Sequence, residues 1–108
     1  MESAKGLLAA LRAVFPDLPG FPDVDLVVDL ESGEANHHTV LRDFRSAFKE
    51  ETAHPSQMGV LAELIRISLS APDTIENAWM TVFLERWPRS GPLWSSLSPE
   101  TKRHIKSS

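Results

Sequence analysis

The sequence contains no cysteine and no tyrosine, and its five glycines stand alone. Without cysteine there is no disulfide framework, no thiolate zinc site and no thiol nucleophile. Isolated glycines supply no Gly-x-Gly-x-x-Gly loop for phosphates, and the Gly-x-Ser-x-Gly turn of serine hydrolases is absent. Long apolar runs are also missing, since nothing approaches the roughly 18–20 residues of a membrane span. The stretch Gly6-Leu7-Leu8-Ala9-Ala10-Leu11 leads straight into Arg12, not into a small-residue cleavage site. A cytoplasmic location without a membrane partner is therefore expected.

Positive charge is lacking from one stretch in particular. Six carboxylates and no lysine or arginine lie between Asp17 and Glu34. Residues 1–41 hold seven acids against two bases, whereas residues 42–108 hold eight acids against nine bases, within a formal net charge of −4. A phosphate polyanion is repelled by such an acidic stretch, so nucleic acid is not expected as the main ligand. A basic protein surface is attracted by it.

What is present reads as helix. A chain of 108 residues suits one domain, since domains commonly run to about 100–150 residues; residues 1–108 are read as a single helical domain. Leu7, Leu8, Leu11, Val14 and Phe15 form one helical stripe between a capping Ser3 and a terminating Pro16. Val40, Leu41, Phe44, Ala47 and Phe48 repeat that stripe from about His37. A third helix, from about Ser56 to Leu69, is apolar around so much of its circumference that it is expected to be central. Ser70-Ala71-Pro72-Asp73 then stops one helix and starts the next. This fourth runs to Trp87-Pro88, with Ile75, Ala78, Trp79, Val82 and Phe83 on its inner stripe. Ser98-Pro99-Glu100 opens a short fifth helix whose last turn is basic.

One segment is ambiguous. In Val24-Asp25-Leu26-Val27-Val28-Asp29-Leu30, period two gives a strand face, while period 3.6 stacks Asp25 on Asp29. No second strand is available to pair with it, which favours helix or turn. The expected fold class is all-α: a single compact bundle of about five helices, with a loop or short extra element around residues 17–36.

Candidate chemistry is sparse. His37 and His38 are adjacent, so on a helix their rings diverge by about 100° and do not readily share a metal. Asp43 lies too far along to complete such a set, and Glu50-Glu51 reads as a solvated helix end. No catalytic residues, no metal and no cofactor are assigned, and the chain is not expected to be an enzyme. Trp79 and Trp87 fall on apolar stripes and suit the core. Trp94, in Gly91-Pro92-Leu93-Trp94-Ser95-Ser96-Leu97, falls between helices, where a half-exposed indole either packs the linker or anchors a partner. The acidic run has two readings as well, a solubilising surface or a rim around apolar anchors that docks a basic protein.

Several fragments, taken together, resemble a family of bacterial helical proteins of about this length that has no established activity. They are Phe15-Pro16-Asp17-Leu18, Gly33-Glu34 leading to His38 and Asp43-Phe44, Glu76-Asn77-Ala78 followed by Phe83-Leu84-Glu85, and Leu97-x-Pro99 entering a closing helix. The sequence departs from that pattern at His37, where proline is common, and at Arg86, where asparagine is. Related small acidic bacterial proteins serve as immunity partners of secreted toxins. The resemblance therefore implies an immunity or inhibitor-type protein that masks a basic, toxin-like partner. The partner-binding residues expected are Asp23, Asp25, Asp29, Glu31, Glu34 and Trp94. A non-enzymatic scaffold or homo-oligomer is the alternative, and a His37–His38–Asp43 metal enzyme a more distant one.

Overall fold

In the computed structural model, which describes residues 2–71 and 73–107, every regular element is helical and no strand occurs among the described residues. The all-α expectation holds, but the described residues form seven α-helices where about five were expected. The two extra ones are the ambiguous 24–30 segment and the stretch around Trp94. The chain divides into two compact units, one through Phe48 and one from Lys49 onward.

The first unit holds α1 (Ala4–Val14), α2 (Val24–Ser32) and α3 (His37–Ala47). Each begins where a side chain satisfies a backbone N–H that the first turn leaves without a partner. Ser3 Oγ accepts from Gly6 at 3.0 Å, and Asp23 Oδ1 accepts from Val24 at 2.8 Å. Asn36 and Thr39 cap each other's backbone reciprocally at the start of α3. The helix ending α2 is set by Gly33, whose φ of 83° lies in the left-handed region that glycine enters without steric cost. There the Asp29 carbonyl accepts from both Glu34 (2.8 Å) and Ala35 (3.1 Å).

α1 and α2 both pack on α3. Their contact is built around Phe44, whose ring lies 5.7 Å from Phe15, 5.4 Å from Phe21 and 5.2 Å from Phe48. Leu7, Leu11, Val40 and Leu41 are fully buried in the same unit. Leu26 and Leu30, four apart on α2, are its buried residues and leave the opposite side of that helix to solvent.

In the second unit, α4 (Pro55–Leu69) borders α5 (Asp73–Ala78), α6 (Pro92–Ser96) and α7 (Pro99–Lys106). It buries Met58, Leu61, Ala62, Ile65, Ser68 and Leu69. His54 caps α4: its ring nitrogen accepts from the Ser56 N–H, while Gln57 Oε1 accepts from the His54 N–H. Pro72, part of the stop-and-start signal read in the sequence, lies outside the described residues. The helix that starts at Asp73 does not run on unchanged to Trp87. After Ala78 it widens into a π-turn over Trp79–Phe83 and then tightens into a 3-10 turn over Leu84–Arg86. The widening keeps Trp79, Met80, Val82 and Phe83 all buried, a wider apolar arc than a regular helix presents to one side. Phe83 then stacks on Trp87 at 4.8 Å with an interplanar angle of 4°.

Candidate functional site

The acidic residues of the first unit are organised by α2. Val24, Val27, Val28 and Glu31 recur at i, i+3, i+4 and i+7 and so share its solvent side. The valines are 74%, 38% and 57% exposed, the most open large apolar side chains in this unit. Asp25 and Glu31 are exposed beside them, and Asp29 is half-buried. The structure therefore sets apolar side chains on one helix face, with Glu31 at the C-terminal end of that face and Asp25 and Asp29 along one flank.

Local helix energetics account for only part of that charge. Asp23 caps the helix and Asp25 lies in its first turn, where a negative charge complements the helix dipole. Asp29 and Glu31 lie in the last turn, where carboxylates oppose the dipole and where α2 has no basic residue. Asp25 and Asp29 also repel each other across one turn. Each effect costs a few tenths of a kcal/mol, roughly. The acids at the C-terminal end are thus retained against the local preference of the helix.

Asp23, Asp25 and Asp29 line a shallow recess of about 260 Å3, facing Thr39, Arg42 and Asp43 of α3. The backbone N–H of Asp23 donates to Asp43 Oδ2 at 2.9 Å and ties the start of α2 to α3. Partial burial pushes the Asp43 carboxyl above the usual aspartate range; the Asp23 N–H bond pulls it back, and the negative charge of Asp23 raises it further. Glu34 is exposed in the loop after Gly33 and does not line the recess. His37 and His38 form the first turn of α3. Among the described residues no group of three or more His, Asp or Glu side chains is placed to hold a metal ion.

Trp94 belongs to the second unit, in α6, and its surroundings are cationic. Arg89 Cζ lies 5.7 Å from the indole centroid, Lys102 Nζ 5.6 Å and Lys106 Nζ 5.9 Å. Each such contact contributes about 0.5–1 kcal/mol at an exposed site, which offsets the mutual repulsion of three like charges. Lys102 and Lys106 are one turn apart on α7, a spacing visible in the sequence. Arg89 is brought to them by the chain between Trp87 and Leu93.

That intervening chain is fixed by Glu50. Its Oε2 accepts from Trp87 Nε1 at 3.0 Å and from the Leu93 backbone N–H at 3.3 Å. The expectation of a solvated Glu50 is corrected: it is half-buried and joins two points of the loop 37 and 43 residues away. Gly91 makes the turn with a φ of 103°, and a Cβ there would come within 2.8 Å of Glu50 Oε1.

Elsewhere in this unit, Val60 and Ile67 are 55% and 47% exposed, seven residues apart on α4. The Glu63–Arg66 ion pair lies on the same exposed side. His104 Nε2 and Glu76 Oε2 meet at 2.9 Å and link α7 to α5. No helix among the described residues is long and apolar enough to cross a membrane. No protein-family model, no curated protein and no solved structure matches the chain.

Proposed function

We propose that this chain is a small non-enzymatic binding protein of immunity or inhibitor type, and that α2 is the surface with which it docks and masks a basic, toxin-like protein. The observation that carries the reading is the α2 face itself. Three valines stand in solvent on one side of a short helix, with Glu31 at the end of that face and Asp25 and Asp29 along one flank; the helix holds Asp29 and Glu31 at its electrostatically unfavourable end. Exposed aliphatic area provides affinity once water is excluded, and an acidic rim accelerates encounter with a basic surface. An all-acidic rim also disfavours a second copy of the same face, because like charges would meet. The resemblance to small bacterial helical proteins points in the same direction.

The test is association kinetics with the basic partner recovered from the native host, measured for the full chain and for the triple variant Asp25→Lys, Asp29→Lys, Glu31→Lys. Asp23 is left intact because it caps α2. The reversal is expected to slow association at low salt by about tenfold or more and to abolish its salt dependence. An unchanged rate would refute the assignment of α2.

A second reading, a homo-oligomerising scaffold, is favoured by α4. Val60 and Ile67 are rimmed by one acid and one base, Glu63 and Arg66, so two antiparallel copies would present opposite charges to each other. Light scattering over a concentration series distinguishes the readings. A mass that doubles with concentration and reverts in Val60→Lys supports the scaffold, and a constant monomer mass excludes it.

A further inference from the structure

We infer that Trp94, Arg89, Lys102 and Lys106 form a binding site for a compact anion carrying two or more phosphate groups. The inference is independent of the α2 reading, since it concerns another unit and the opposite charge.

The site is defined by geometry. Three cationic groups lie within 5.9 Å of one indole centroid, so no two of them are further apart than about 12 Å, twice that distance. None of the three forms an ion pair with a carboxylate among the described residues. From Trp87 to Ser107 the sole acid is Glu100, against Arg89, Lys102, Arg103 and Lys106. Glu100 shares one recess with Arg66, whose guanidinium pKa it raises electrostatically, and another with Arg103 and Lys106. On α7 it lies about 200° around the helix from Lys102 and forms no ion pair with any of the three cations, which therefore outnumber it three to one.

The positions are not explained by helix stability alone. Lys106, in the last turn of α7, complements the dipole. Lys102 lies in the first half of that helix and gains nothing from it, and Arg89 lies outside any helix. The segment that carries Arg89 is held by Glu50, which binds both Trp87 and Leu93. The cations are therefore gathered before any ligand arrives, and the indole is the platform that gathers them.

The nature of the ligand follows from what surrounds the cluster. Among the described residues, the large apolar side chains that stand exposed are all on α2 and α4, and none lies between Trp87 and Ser107. Apart from the half-buried Trp94, whose ring three cations already approach, a protein hot spot or a lipid surface that demands apolar insertion has no anchor here. Recognition must rest on charge and N–H donors. One guanidinium and two ammonium groups at this density match closely spaced phosphates better than a lone carboxylate. An extended polyanion is disfavoured by the net charge of −4 and by the acidic 17–34 stretch, which leaves a compact one.

The experiment titrates inorganic tripolyphosphate into the full chain and follows the three indole N–H resonances, with Trp94→Phe assigning one of them. Saturable movement of the Trp94 signal is expected, together with weaker binding of monophosphate. Lys102→Gln and Lys106→Gln should each weaken binding about five- to tenfold, whereas Arg12→Gln, the same charge change in the first unit, should leave it within twofold. Trp94→Leu removes the platform without altering charge and should weaken binding about threefold or more, with Trp94→Phe recovering part of the loss. Unmoved Trp79 and Trp87 signals certify the fold of each variant. Nucleoside triphosphate and vesicles bearing a phosphoinositide headgroup, run in parallel, distinguish a free ligand from a lipid-borne one. Equal losses from Arg12→Gln and Lys102→Gln would overturn the site in favour of net-charge attraction. Failure to saturate would overturn it as well, as would tighter binding of a single-stranded oligonucleotide than of tripolyphosphate.

Discussion

Glu50 and Gly91 together make the most quantitative case. The carboxylate accepts one hydrogen bond at 3.0 Å from Trp87 and a longer one at 3.3 Å from Leu93. Bonds to a charged acceptor contribute about 1.5–3 kcal/mol each when well formed. With partial exposure and one long bond, Glu50→Ala is expected to cost about 2 kcal/mol in all. Glu50→Gln keeps an acceptor oxygen and should cost about half of that. Gly91→Ala carries two separable penalties. Its φ of 103° is strained for any residue with a Cβ, costing about 1–2 kcal/mol. Its Cβ would also come within 2.8 Å of Glu50 Oε1, and the shift of the carboxylate would weaken the two bonds accepted by the other oxygen, Oε2. The penalties therefore overlap: in the Glu50→Ala background, Gly91→Ala should cost the backbone strain alone. A double-mutant cycle is expected to be non-additive by about 1–2 kcal/mol. Urea unfolding followed by tryptophan fluorescence suits the question, because all three tryptophans lie in the second unit. At a slope near 1 kcal/mol per molar, typical of small proteins in urea, a 2 kcal/mol loss moves the midpoint by about 2 M. Additivity within about 0.5 kcal/mol would refute the claim that Glu50 and Gly91 act on one another.

Further expectations concern the first unit, which has no tryptophan, so its unfolding is followed as loss of helical circular dichroism that tryptophan fluorescence does not register. Phe44→Ala removes the ring that touches Phe15, Phe21 and Phe48 and should destabilise by about 3–5 kcal/mol, with Phe44→Leu recovering much of it. Asp43 has its carboxyl pKa raised on folding, so the folded state binds its proton more tightly and stability falls as pH rises through and above the usual aspartate range. Asp43→Asn should therefore equal or exceed the parent at about pH 7 and lose that advantage near about pH 4, as urea midpoints at the two values would register. A variant less stable than the parent at neutral pH and equal to it in acid would reverse the sign and discard the argument.

Much of the fold could be read along the chain because periodicity and caps coincide. Ser3, Pro16 and the Leu7–Phe15 stripe delimit α1 almost to the residue, and Ser98-Pro99 opens α7 where expected. The ambiguity at 24–30 was resolvable by its ends. Asp23 is a capping residue and Gly33 a left-handed stop, and the nine residues between them make a helix. Period two competed only because four apolar residues happen to alternate. The π-turn was not legible, since no local signal distinguishes Trp79–Phe83 from ordinary helix; packing of the second unit selects it. α6 was hidden by its brevity, with Pro92 its one start signal. Among candidate site residues, the acids of α2 were visible as charge but not as a face, because the face depends on the helix being there. Trp94 stood out as an odd aromatic. Its cations did not, because Arg89 is joined to α7 by a turn that depends on a glutamate far back in the sequence.

The π-turn has a consequence for how insertions and deletions act. A π-turn accommodates one residue more than an α-turn, so the helix beyond it is out of phase with the helix before it. Deleting a single residue within 79–83 as the turn regularises would keep the later residues near their present phase, whereas regularising 79–83 with no residue removed would rotate Leu84 and everything after it by about 100°. The indole of Trp87 would swing off Phe83 and away from the Glu50 carboxylate, and the loop bearing Arg89 would lose its mooring. One extra residue in the backbone thus sets the phase on which the far end of the second unit is assembled.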